Sequence, residues 1–203
     1  MLTLYGMTDS GNCYKPRLLL AKLDRDFRHV EVSSRDGGTR SPDFLAKNPN
    51  AMVPLLEFED GQTLAESNAM LLHLAEGTRF LPVDRYQRAL AYQWLFFEQY
   101  SHEPYIAVRR ALLRFSERAA QATPERLAQT LERGNKALGI MNSWLEDRPF
   151  FAGETYSVAD IALYAYTHVA GDGGFKLEAY PAVLAWLQRV QNDAGHVDME
   201  WKP

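Results

Sequence analysis

Apolar and polar positions fall into two textures along the chain. Residues 1–5 (MLTLY) form a short apolar run closed by Gly6, and residues 27–32 (FRHVEV) alternate with period two, so both are expected as strands. Between them, Cys13–Leu23 places Leu18, Leu19 and Ala21–Leu23 on or near one face of a helix, which makes a βαβ unit with parallel strands. Ser41 and Pro42 supply the cap and first position of a short helix that stops before Asn48-Pro49. Val53–Phe58 and Gln62–Leu64 are short runs joined at Glu59-Asp60-Gly61, where an Asp-Gly pair signals a tight hairpin. Glu66–Ala75 then reads as a helix, and the order β-α-β-α-β-β-α predicts a mixed four-stranded sheet packed against helices.

The pattern changes after residue 76. Residues 77–84 (GTRFLPVD) have no period and contain both a glycine and a proline, so they are expected to be a linker. Arg85–Arg118 and Pro124–Asp147 are long helical stretches, Ser157–Ala170 and Pro181–Asn192 are shorter ones, and no strand pattern remains. The expected domains are therefore residues 1–76 and an all-helical 85–203. Ser157 and Asp160 have the spacing of a capping box and are assigned to folding.

Composition narrows the function classes. A chain of 203 residues with 46% hydrophobic positions can close a core. The 22 basic and 26 acidic side chains leave a net charge of -4, which gives no footprint for a nucleic-acid partner. No apolar run is long enough to span a membrane, and the amino end lacks the features of a secretory leader, so a cytoplasmic location is expected. One cysteine, Cys13, excludes an internal disulfide and a multi-cysteine zinc site, and no metal is expected.

Three segments could carry chemistry. The turn Met7–Tyr14 joins the first strand to the first helix, where unpaired amides and the helix dipole meet ligands; Ser10 and Asn12 there are equally the residue types that cap helices. Val53-Pro54 starts the third strand, and a cis bond would turn the backbone of Val53 toward an extended peptide. Glu66-Ser67 opens a helix, where Glu66 can complement the dipole and Ser67 can cap; with all three segments at one end of one small sheet, they could together hold a peptide-like ligand.

Four stretches carry a resemblance over the whole chain: Ser10-Gly11-Asn12-Cys13, Asn48-Pro49 with Met52-Val53-Pro54, Glu66-Ser67 with Ala69-Met70, and Ser157-Val158-Ala159-Asp160. In these it is similar to cytosolic glutathione S-transferases of the bacterial type. The resemblance implies a thioredoxin-like domain followed by an all-helical domain, glutathione as substrate, a cis peptide at Val53-Pro54, and a homodimer. It gives Val53 the cysteinyl backbone of glutathione, with Pro54 fixing the turn, and gives Glu66 and Ser67 the γ-glutamyl end. Relatives often place Lys, Gln or Arg where Met52 stands, and Arg35, Arg40 or Lys47, between the second and third strands, could substitute at the glycyl carboxylate.

The resemblance also puts a thiol-activating side chain in the first turn. Ser10 occupies the place of the catalytic serine of serine-type members, whereas Ser10-Gly11-Asn12 matches the Thr-Pro-Asn of disulfide-reducing members, which point the asparagine at the sulfur. The leading expectation is conjugation of glutathione to an electrophile, as in detoxification; the alternatives are a glutathione-dependent disulfide-bond reductase and a non-catalytic binding protein of the same fold. Glu98, His102, Tyr105 and Arg109 lie at helical spacing, and Tyr105 with Arg109 is expected to wall a second-substrate pocket, while Pro104 is expected to kink that helix. Tyr5 is expected in the core.

Overall fold

A computed structural model describes residues 1–203. Met1–Gly77 and Ala194–Pro203 form one compact unit, and Thr78–Asp193 form the other. The first unit contains β1 (Leu2–Gly6), α1 (Gly11–Lys22), β2 (Phe27–Glu31), α2 (Pro42–Lys47), β3 (Leu55–Glu57), β4 (Thr63–Ala65) and α3 (Ser67–Ala75). The sheet order is β2-β1-β3-β4, with β1 and β2 parallel and the other pairs antiparallel, which is the thioredoxin-like arrangement. Gly61 makes the β3–β4 turn at φ +83°, a conformation open to glycine and strained for other residues.

α1 tolerates Pro16 in its interior. An interior proline costs about 3 kcal/mol, but Leu18, Leu19 and Leu20 are all fully buried, and each such burial contributes roughly 1.5–3 kcal/mol. Packing therefore overrides the break. Ser10 caps α1 through the Cys13 amide, and Ser41 caps α2 through that of Phe44.

The segment Ala194–Pro203 corrects the expected boundary, because it packs on the first unit and not within an 85–203 helical domain. Its anchors lie far away in sequence. Tyr14 donates to the Val197 carbonyl at 2.5 Å, Arg17 to that of Met199 at 2.7 Å, and the Trp201 ring packs tilted against Phe27 with centroids 6.1 Å apart.

The second unit is helical throughout, with α4 (Arg85–Phe97), α5 (Glu103–Arg114), α6 (Pro124–Leu145), α7 (Val158–Thr167) and α8 (Pro181–Asn192). The long stretch expected over 85–118 is interrupted by a π turn at Glu98–His102. Pro104 is the cause: it has no N–H to give Tyr100, and its ring would strike that carbonyl, so the helix widens by one residue and Glu103 N–H bonds Glu98 instead. Every residue of α7 is buried. Its capping box is formed as expected, and the Asp160 carboxylate also accepts from Phe151 N–H at 3.0 Å and Trp186 Nε1 at 2.9 Å. Burial nevertheless pushes the Asp160 carboxyl up to about 6.

Candidate functional site

Strand register gathers the three candidate segments at one end of the sheet. Tyr5 of β1 pairs with Leu55 of β3, and Leu55 pairs with Ala65 of β4. The chain leaves β1 one residue after Tyr5, enters β3 directly after Val53-Pro54, and leaves β4 directly before Glu66-Ser67. One row of the sheet therefore presents the Ser10 turn, the Val53 backbone and the start of α3 together. The Val53-Pro54 bond is cis.

Ser10 is half-buried and sits at the N-cap of α1, its Oγ accepting from Cys13 N–H at 3.4 Å. A hydroxyl that accepts in this way still has its own proton to donate. Asn12 is half-buried in the first turn of the same helix. Cys13 is fully buried with its sulfur accepting from Met7 N–H at 3.3 Å, and burial pushes its thiol up to about 11. A Cβ on Gly6 would approach the Cys13 sulfur to 3.0 Å, so the thiol fills a niche that only glycine leaves open.

Glu66 is exposed and holds φ at +66°, a strained value for a residue with a side chain. Ser67, by contrast, is 5% exposed at the first position of α3. Its Oγ lies 3.3 Å from the Nζ of Lys15, and the same ammonium reaches Asn68 Oδ1 at 3.3 Å. Lys15 was not among the residues singled out from the sequence. The signal was present, because Lys15 lies three and four residues before buried Leu18 and Leu19, and a lysine on an apolar helix face requires a partner.

The basic residues considered for a glycyl carboxylate divide. Arg35 forms a two-armed pair with Asp9 at 2.8 and 2.9 Å, and Lys47 pairs with Glu57 at 2.6 Å, which leaves Arg40 exposed. Tyr5 is half-buried with its hydroxyl donating to Glu57, so it lies at the edge of the core and not within it.

In the helical unit the four residues of the expected wall separate, because the π turn breaks their register. Glu98 and His102 are fully buried, and His102 Nε2 lies 2.9 Å from Thr167 Oγ1. Arg109 spends its guanidinium on backbone: Nε donates to the Gly173 carbonyl at 2.6 Å and Nη1 to that of Leu127. That geometry ties α5 to α6 and to the turn after α7. Tyr105 alone lines a cleft, of about 410 Å³, beside Tyr100, Ser101, Arg133 and Lys136. Its hydroxyl accepts from Arg133 Nη1 at 2.7 Å. No cluster of side chains could hold a metal ion, and no helix is long and apolar enough to cross a membrane.

Comparison with known proteins matches the glutathione S-transferase N-terminal domain over residues 1–76 and the C-terminal domain over residues 90–193. The chain is 31% identical over 199 residues to the disulfide-bond oxidoreductase YfcG of Escherichia coli, covering 95% of this chain and 91% of that protein. Among solved structures, a glutathione S-transferase from Pseudomonas fluorescens superposes with a TM-score of 0.94 at 48% identity, covering 98% of each chain. A possible transferase from Rhodopseudomonas palustris gives 0.95 at 47% identity, covering 100% of this chain and 91% of that one.

Proposed function

Because the chain belongs to the glutathione S-transferase family, we propose that it binds glutathione along the end of its sheet, lowers the pKa of the bound thiol and bonds the resulting thiolate sulfur to an electrophile, which expels its leaving group where it carries one. The observation that carries this reading is the shared row of Tyr5, Leu55 and Ala65, which brings a hydroxyl donor, a strand-like backbone and a helix start to one place.

Each part has a chemical task. The backbone of Val53, set by Pro54, pairs with the cysteinyl segment as an added strand would. Ser67 donates its hydroxyl and amide to the γ-glutamyl carboxylate at the positive end of α3, while Glu66 accepts from the ammonium. Lys15 strengthens this: its ammonium occupies the Ser67 lone pair, so the Ser67 proton is directed outward, and its charge favours a carboxylate there. Arg40 is the basic side chain left for the glycyl end.

Activation of the thiol requires little machinery. An ordinary thiol titrates near ~8.5, and a drop of about two units corresponds to roughly 2.7 kcal/mol. One hydrogen bond to a charged acceptor supplies about 1.5–3 kcal/mol, so the Ser10 hydroxyl at the amino end of α1 suffices without a general base.

A second reading, reduction of disulfides with glutathione in the same pocket and Asn12 as the sulfur's donor, is favoured by the likeness to the oxidoreductase YfcG. Parallel turnover of a chlorinated nitroarene and of a small mixed disulfide, with glutathione present, separates the two. Faster conjugation supports the transferase reading; turnover of the disulfide alone replaces it with the reductase.

A further inference from the structure

Thr8 lies two residues before Ser10 and has every polar group committed. Its N–H donates to Glu31 Oε1 at 2.9 Å and its hydroxyl to Glu31 Oε2 at 2.5 Å. Its carbonyl accepts from Arg17 Nη2 at 2.6 Å.

Both clamps are themselves held by one distant segment. The same Arg17 Nη2 donates to the Met199 carbonyl at 2.7 Å, and the Lys202 ammonium lies 3.1 Å from Glu31 Oε2. Arg17 is fully buried, so each carbonyl it meets replaces lost hydration, and removing one leaves a buried charge short of a partner and its position less well determined. The segment is prepared for these contacts: Asp198 accepts from Glu200 and Trp201 N–H at 2.9 and 2.8 Å, forming the turn that carries Met199 and Lys202 to their partners. Tyr14 at Val197 and Lys22 at Ala194 fix its approach.

We propose that the segment Val197–Lys202 is a positioning element of the thiol site: Met199 and Lys202 set Arg17 and Glu31, and these set the Thr8–Ser10 turn. Arg17 and Glu31 are positioning residues; neither is assigned contact with glutathione. The inference rests on the reading of Ser10 as the thiol donor. A donor displaced by a fraction of an ångström loses much of its effect on a developing or resting charge, so the segment tunes thiol acidity from a distance.

The test compares the full chain with a chain ended at Asp198, and with Glu31→Gln and Lys202→Gln as variants that keep the segment's apolar packing. Hydrogen exchange is followed at the amides of residues 8–13 and of 55–65, and the thiolate of bound glutathione is titrated by its ultraviolet absorbance. Expected are exchange at 8–13 faster by about tenfold with 55–65 unchanged, and a thiolate pKa raised by about one unit with glutathione affinity within threefold. Unchanged exchange at 8–13, or a uniform rise over both segments, overturns the inference. If the unaltered protein fails to lower the thiol pKa, the functional reading fails, and exchange alone still decides the role of the segment. Should the shortened chain not fold, the two substitutions carry the same readouts.

Discussion

Lys15 Nζ lies 3.3 Å from Ser67 Oγ, joining the interior of α1 to the first residue of α3 with both side chains buried. A lysine that desolvated has little reason to exist in a small apolar interface unless its charge is used. Ser67 Oγ and Asn68 Oδ1 both accept from this ammonium, so its positive charge stands beside the first turn of α3, where an incoming carboxylate would meet it.

Removing that charge should therefore cost binding. Lys15→Met, close in volume, is expected to weaken glutathione binding by roughly tenfold in a protein that still folds. Ser67→Ala should cost about 1–3 kcal/mol of affinity. Calorimetric titration of both variants checks this; unaltered affinity in both removes α3 from the glutathione site.

The identity of the thiol donor is open to the same titration. Ser10→Ala should raise the pKa of the bound thiol by about one to two units, because a hydrogen bond to a charged acceptor is lost. Asn12→Ala should leave it nearly unchanged. The reverse pattern would transfer the role to Asn12 and favour disulfide reduction.

Cys13 is expected to be a packing residue. Its thiol is fully buried and pushed up to about 11, so it should resist alkylation in the folded protein and react only on unfolding. Cys13→Ala should keep turnover within a few-fold. Loss of activity in a folded variant would instead implicate the thiol in redox chemistry.

Acid should loosen the first unit through Glu31. Burial opposes ionisation there, but hydrogen bonds from Thr8, Lys202 and His29 win and bring the carboxyl down to about 2. A depressed folded value means that the stabilisation is complete above the ordinary value of 4.5 and disappears as pH falls through about 2. The carboxylate is half-exposed, so about 1 kcal/mol is expected after screening. Unfolding of Glu31→Gln measured across that range should show a shallower pH slope than the unaltered protein.

A homodimer is expected through the outer face of the helical unit. Tyr86, Phe96 and Tyr100 are 71%, 75% and 84% exposed, and α4 and α6 border a cleft of about 670 Å³ lined by Trp94, Phe97, Ile140 and Trp144. Such an apolar surface favours cover by a second chain. Sedimentation at micromolar concentration should give twice the monomer mass; a monomer would contradict it.

Much of this protein was legible in one dimension. Period-two and period-3.6 patterns specify local backbone, so β1, α1, β2 and the Asp60-Gly61 turn follow from nearest neighbours, as do the Ser41 and Ser157 caps. The positions of Ser10, Val53, Glu66 and Ser67 within their turns and helix starts were equally readable, because capping and turn chemistry act over three or four residues. What tertiary structure alone decided involves partners distant in sequence. Lys15 meets Ser67 across 52 positions, and Arg17 meets Met199 across 182. Arg109, on a helix face that looked available to substrate, is taken up by the carbonyls of Leu127 and Gly173. Pro104 announced a break, and the structure realises it as a π turn in which Glu98 and His102 are buried. Periodicity specifies which face of a helix is apolar; only packing determines which polar group that face must satisfy, since a buried charge or carbonyl takes whatever partner the folded chain brings within 3 Å or so.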